Sequence, residues 1–184
     1  MAHILELNMD LLNGTPAPSF DDPLALLRAC HERILGQCLT LERLQQHLPR
    51  HGCDADAQQA ARAILRYFDT AGQHHHKDEE QDLFPAMLAS GNAEAAQLIG
   101  NLLVEHQGME AAWQALRPHL ADVAAGKSAT LDAQVAQHFM DAYRIHIAQE
   151  NPYLLPLAAR LLSSAQLANI GRSMAQRRNA ASPS

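Results

Sequence analysis

Two stretches of the chain combine imidazole and carboxylate groups at helical spacing. In His74-His75-His76-Lys77-Asp78-Glu79-Glu80-Gln81-Asp82-Leu83-Phe84-Pro85, His75 is followed four residues later by Glu79 and six after that by Pro85. His146, Glu150 and Pro156 repeat the same spacing. A four-residue step along an α-helix turns about 40° and rises ~6 Å, so each His and its Glu share a face and can reach a common point. One such pair is ordinary helix-surface chemistry. Two pairs with a matching proline, both on core-facing stripes, require another explanation. A buried carboxylate without a cationic partner costs several kcal/mol, and no Arg or Lys lies on the facing stripes. Coordination of a metal ion removes that conflict.

The elements that must position these groups are amphipathic helices. A first helix is expected from Asp21-Asp22-Pro23, with Asp as N-cap and Pro in the first turn. Its stripe is Leu24, Leu27, Ile34, Cys38, Leu41 and Leu48, and His31 falls on it. Pro49 to Asp54, containing Gly52, ends it. A second helix starts near Asp54 or Asp56 and carries Ala61, Ile64, Leu65, Phe68 and Gly72, then His75, Glu79, Leu83 and Met87 in the same period. Gly72 is expected to bend it, and Ser90-Gly91-Asn92 to close it. A third helix, from about Ala93 to Ala125, presents Ile99, Leu102, Leu103, His106, Met109, Trp113, Leu116 and Leu120. Pro118 is expected to kink or break it. A fourth, from about Thr130 to Leu162, presents Val135, Phe139, Ala142, Tyr143, His146, Glu150, Tyr153 and Leu157. Ser163-Ser164 opens a short fifth helix with Leu167, Ile170 and Met174 inward.

The fold class predicted is therefore all-α. It is an antiparallel up-down-up-down four-helix bundle with an N-terminal arm over residues 1–20 and a short C-terminal fifth helix. The bundle plus the fifth helix spans 21–178, and 179–184 reads as a frayed tail. Each long helix contributes one inward histidine, His31, His75, His106 and His146, and two add Glu79 and Glu150. Four imidazoles and two carboxylates are a natural set for two metal ions, with the carboxylates bridging. Mixed nitrogen and oxygen donors suit iron or manganese, and zinc also fits. Among the remaining histidines, His74 and His76 are expected to flank the ligand and point to other faces.

Composition fits this reading and excludes others. The chain has 184 residues, 47% hydrophobic and 18% charged, which is globular and large enough for one core. A net charge of −6 argues against nucleic acid as a partner. Three cysteines without a Cys-x-x-Cys argue against a thiolate site and fit a reducing cytoplasm. The first ten residues lack the basic start of a signal peptide. No apolar run approaches the ~20 residues of a membrane span.

The His on helix one, His75-x-x-x-Glu79 ending in Leu83-Phe84-Pro85, the His after Glu105, and His146-x-x-x-Glu150 together resemble the hemerythrin-like (HHE cation-binding) family, over roughly Asp22 to Arg178. The resemblance implies a non-haem di-iron centre, with an oxo or hydroxo bridge, held by His31, His75, Glu79, His106, His146 and Glu150. Oxygen-carrying members have a second His four residues after the helix-three His; here that position is Glu110. The pattern is closer to bacterial proteins of iron-centre repair, with four His and two Glu. Glu110 is a candidate additional ligand, a carboxylate accepting hydrogen bonds behind the ligands, or an outward residue beside Gln107 and Gln114. The function implied is binding or sensing of oxygen or nitric oxide, or handling of iron under oxidative stress. The alternatives are a di-iron nitric oxide reductase, peroxidase or oxidase, and iron-centre repair. The absence of any Glu-x-x-His counts against the ferritin-like oxidases. The apolar residues Ile4 to Leu12 allow a homodimer.

Overall fold

The structure is a computed structural model and describes residues 19–180. Nearly all of the expected N-terminal arm, and most of the expected tail, lie outside the described residues. Among those described, regular structure is entirely helical.

Helix α1 (Pro23–His51) begins where its capping chemistry places it. The Asp22 carboxylate accepts the Ala25 N–H at 3.0 Å, satisfying an otherwise unpaired first-turn donor. It ends at Gly52, whose φ of 71° favours glycine. Helix α2 (Ala55–Asp69) is capped by Asp54, which accepts from Ala57. Then follow α3 (Ala71–Asp78), a π-helical turn (Glu79–Leu83) and α4 (Phe84–Leu88). The rod breaks at Thr70 (φ −129°, ψ −80°) rather than bending at Gly72, because the Thr70 hydroxyl bonds back to the Arg66 carbonyl at 2.6 Å. Gly72 instead admits the Phe68 ring, which a Cβ would meet at 3.2 Å.

Helix α5 (Ala93–Ala124), capped by Asn92, is continuous through Pro118. Helix α6 (Ala133–Gln149), capped by Asp132, leads into a second π-helical turn (Glu150–Leu154), then α7 (Leu155–Leu161). Helix α8 (Ser164–Ala180) opens on a reciprocal cap. The Ser163 hydroxyl accepts the Gln166 N–H, and the Gln166 side chain accepts the Ser163 N–H.

Both π-turns end two residues before a proline at the second position of the next helix, Pro85 or Pro156. A proline has no N–H to give and its ring crowds the carbonyl four residues back. Widening the preceding turn, so that Phe84 N–H reaches Glu79 O and Leu155 N–H reaches Glu150 O, relieves that crowding. The extra residue also shifts the register. Leu154 and Leu155 are buried, and Tyr153, expected inward on an unbroken period, is 64% exposed. Leu103, also expected inward, lies at the border of its stripe and is 37% exposed.

Helix α2 packs between α1 and α5, α5 against α6, and α6 back against α1, closing a ring. Along α2 and α3, Asp69 meets Arg117 while Gln73 meets Glu110. Along α1, His31 meets Asn151 while Glu42 meets Arg144. The buried apolar residues form two clusters, one around Phe68, Trp113 and Phe139, the other around Leu27, Phe84 and Leu102. The fully or nearly fully buried residues His31, His75, Glu79, His106, His146 and Glu150 fall between these clusters along each helix.

Candidate metal centre

A polar layer between two apolar clusters needs its atoms matched one by one. His31 donates from Nδ1 to Asn151 Oδ1 at 2.8 Å, His106 pairs through Nδ1 with Glu80 Oε1 at 2.7 Å, and His146 through Nδ1 with Glu105 Oε2 at 2.8 Å. With the outer nitrogen engaged as donor, Nε2 of each ring is the atom left to face inward, where a proton or a metal ion can occupy it.

The inward atoms converge. Nε2 of His31 lies 3.1 Å from Glu150 Oε2, and Nε2 of His146 lies 3.2 Å from the same oxygen. Glu79 Oε1 faces His75 Nε2 at 3.4 Å and His31 Nε2 at 3.7 Å, while its Oε2 faces His106 Nε2 at 3.4 Å. Nε2 of His106 and Nε2 of His146 are 3.1 Å apart. Two ligand groups result: His31, His75, Glu79 and Glu150, and Glu79, His106, His146 and Glu150, each with its donor atoms within 4.8 Å of one another. Both carboxylates belong to both groups.

The donor set fits a metal. Both oxygens of Glu79, both of Glu150, both nitrogens of His75 and Nε2 of His31 are buried with no hydrogen-bond partner. Unpaired buried carboxylate oxygens are costly, and cations placed among them would satisfy all four together with Nε2 of His31 and one nitrogen of His75. The electrostatics carry the same demand for positive charge. Burial alone lowers the His31 and His146 pKa, but the Glu150 and Glu79 carboxylates overcome it and hold them at about 10 and about 9. Burial raises the Glu150 pKa, yet His146 and His31 take it well below the ordinary value. His75, desolvated and repelled by His31, is held neutral, the form that ligates.

The structure thus brings together six of the seven residues singled out in the sequence. Glu110 stands outside both groups: it is exposed and accepts from Gln73 at 3.3 Å and Gln114 at 2.7 Å. One turn beyond His106, it lies past the rim of the polar layer.

Sequence reasoning missed the groups that hold these side chains. Asn151, Glu80 and Glu105 each sit next to a candidate donor in the chain, Glu150, Glu79 and His106. An adjacent residue projects about 100° around the helix, toward the neighbouring helix, and there it anchors that helix's histidine. Asp78 was missed as well. It is fully buried before Glu79, and Arg177 and Arg178 of α8 both pair with it. Arg177 also binds Asp82 at 2.7 Å. The C-terminal end of α8 therefore clamps the π-turn that carries Glu79. His76, expected to point away, has its Nε2 buried and its ring stacked on His106 with centroids 4.2 Å apart.

A family model, Hemerythrin HHE cation binding domain, matches residues 22–158. A protein of Haemophilus influenzae, described as an uncharacterized protein, is 29% identical over 170 residues, covering 92% of this chain and 98% of its own length. Among the described residues no helix is long and apolar enough to cross a membrane.

Proposed function

The chain belongs to the hemerythrin HHE cation-binding family, and from that premise we propose that it is a non-haem di-iron protein that binds or senses oxygen or nitric oxide, or handles iron under oxidative stress. The observation that carries the proposal is that two four-residue ligand groups share both carboxylates. On this reading His31 and His75 would hold one ion and His106 and His146 the other, with Glu79 and Glu150 available to both. Two irons would supply a redox-active pair with coordination positions left for a small ligand. Asn151, Glu80 and Glu105 fix the ring orientations. The apolar clusters on either side keep water from the buried carboxylates. We read the architecture in full as an antiparallel up-down-up-down four-helix bundle with α8 as a fifth helix, which the ring of packed helices and the opposed chain directions of the pairs above support.

With Glu110 turned outward, the proposal rests on four histidines and two glutamates. Manganese and zinc suit the same donors, so the test identifies the metal. Elemental analysis of protein purified without added metal is expected to give two irons per chain, and His75→Ala or Glu150→Ala to lose at least one. Retention of both irons in either variant would overturn the ligand assignment, and zinc in their place would overturn the redox reading. A near-ultraviolet band that changes reversibly with oxygen supports binding. Irreversible conversion to a stable oxidised form supports iron handling.

A further inference from the structure

His76 makes no hydrogen bond through its buried Nε2. Its ring lies between two others: nearly parallel to His106, at 18° with centroids 4.2 Å apart, and to Tyr143, at 14° and 5.9 Å. His146 is edge-on to it at 6.4 Å. A buried imidazole nitrogen beside a group of metal donors, itself without a partner, is available to ligate once its ring turns. The same ring forms the inner wall of a cleft of about 470 Å³ with Glu80, Leu103, His106, Gln107 and Glu110. That cleft reaches His106 from the surface.

The two metal positions differ in what surrounds them. His31 and His75 meet edge to face at 4.8 Å, and His76 is tilted against His75 at 5.7 Å, but the nearest and only stacked histidine neighbour of His76 among the described residues is His106. Beside His106 and His146 stands this third imidazole. Its Nε2 is outside the group of four donors that lie within 4.8 Å of one another, so ligation requires the ring to pivot out of its stack. We propose that His76 is a fifth donor to the metal position formed by Glu79, His106, His146 and Glu150, supplied from the cleft side where Glu110 does not reach. The two positions are then unequal, five-donor beside four-donor. A small ligand arriving through the cleft meets the position whose fifth donor can swing away. The proposal rests on the di-metal reading above and deepens it.

The test is titration of the metal-stripped full chain with Co(II) under anaerobic conditions, in wild type, His76→Phe and His76→Gly. Phenylalanine keeps the stacked ring and removes the donor; glycine opens a space that added imidazole can fill. Wild-type uptake of two Co(II) per chain supports the di-metal reading, and uptake below two overturns that reading and this proposal together. With two bound in wild type, His76→Phe is expected to weaken one binding step at least about tenfold, the floor set by loss of even an outer-shell partner. The Co(II) visible bands should intensify as one ion loses a donor. His76→Gly is expected to show the same loss, with affinity and spectrum recovered by added imidazole. Both steps within about twofold of wild type, with an unchanged spectrum, overturn the proposal and leave the di-metal reading standing. Weakened binding in His76→Gly that imidazole does not restore also overturns it, because packing alone then accounts for the loss.

Discussion

Asp78 has no exposed surface, and the side chains of Arg177 and Arg178 that neutralise it are 16% and 26% exposed. That asymmetry makes a quantitative expectation. Arg177→Ala with Arg178→Ala strands a carboxylate in the interior beside Glu79, and breaking a buried pair in this way costs about 3–5 kcal/mol. For a chain of this size each kcal/mol moves the melting temperature by roughly 2–4 °C, so the double variant should melt about 6–20 °C below wild type. Asp78→Ala leaves the arginines instead. They reach water, Arg177 retains Asp82 at 2.7 Å and Arg178 retains the Met174 carbonyl at 3.0 Å. The cost there is that of charged hydrogen bonds, about 1.5–3 kcal/mol. Adding Asp78→Ala to the double variant removes the stranded charge and should recover stability. Denaturant unfolding of the metal-stripped forms measures all three. A double variant no less stable than Asp78→Ala, or a triple variant that recovers nothing, would refute the reasoning.

Three further outcomes are expected. Glu80→Ala and Glu105→Ala remove the acceptors of His106 and His146, and each should lower metal affinity by about 10–100-fold without unfolding the chain; calorimetric titration with the metal alone checks this. The metal-stripped protein should be most stable near pH 6.5. His31 and His146, with folded pKa raised to about 10 and about 9 from 6.5, contribute stability that is full below 6.5 and lost as pH rises through those values. His76, lowered to about 3, makes the folded state refuse a proton that the unfolded chain accepts, so stability falls as pH drops from 6.5 toward 3. Metal should abolish the alkaline loss, since it replaces those protons, and a flat profile from pH 6.5 to 10 without metal would refute the assignment. Finally, a Cβ at Gly171 would overlap the Phe20 carbonyl, so Gly171→Ala should destabilise by about 1–3 kcal/mol through displacement of α8, read from its melting temperature.

The sequence by itself determined the helices, the first two caps and the inward direction of His31, His75, Glu79, His106, His146 and Glu150, because each depends on local chemistry or on a period that survives burial. Asp22 and Asp54 cap where short polar side chains precede a stripe. His75 and Glu79 continue the period of Phe68 and Leu83, so their inward direction follows from spacing alone. What the tertiary structure decided involves residues on different helices, or register changes that an unbroken period hides. Tyr153 was placed inward by counting in fours and threes; the π-turn ahead of Pro156 turned it out. Asn151, Glu80 and Glu105 look like ordinary polar residues until the neighbouring helix brings a histidine to within 2.8 Å. Asp78 could be matched with Arg177 and Arg178 only once α8 was docked, since about a hundred residues separate them. His106 and Glu110 share a helix and lie one turn apart, yet only His106 faces the polar layer. Spacing fixes which residues share a stripe, and packing fixes where the buried layer ends.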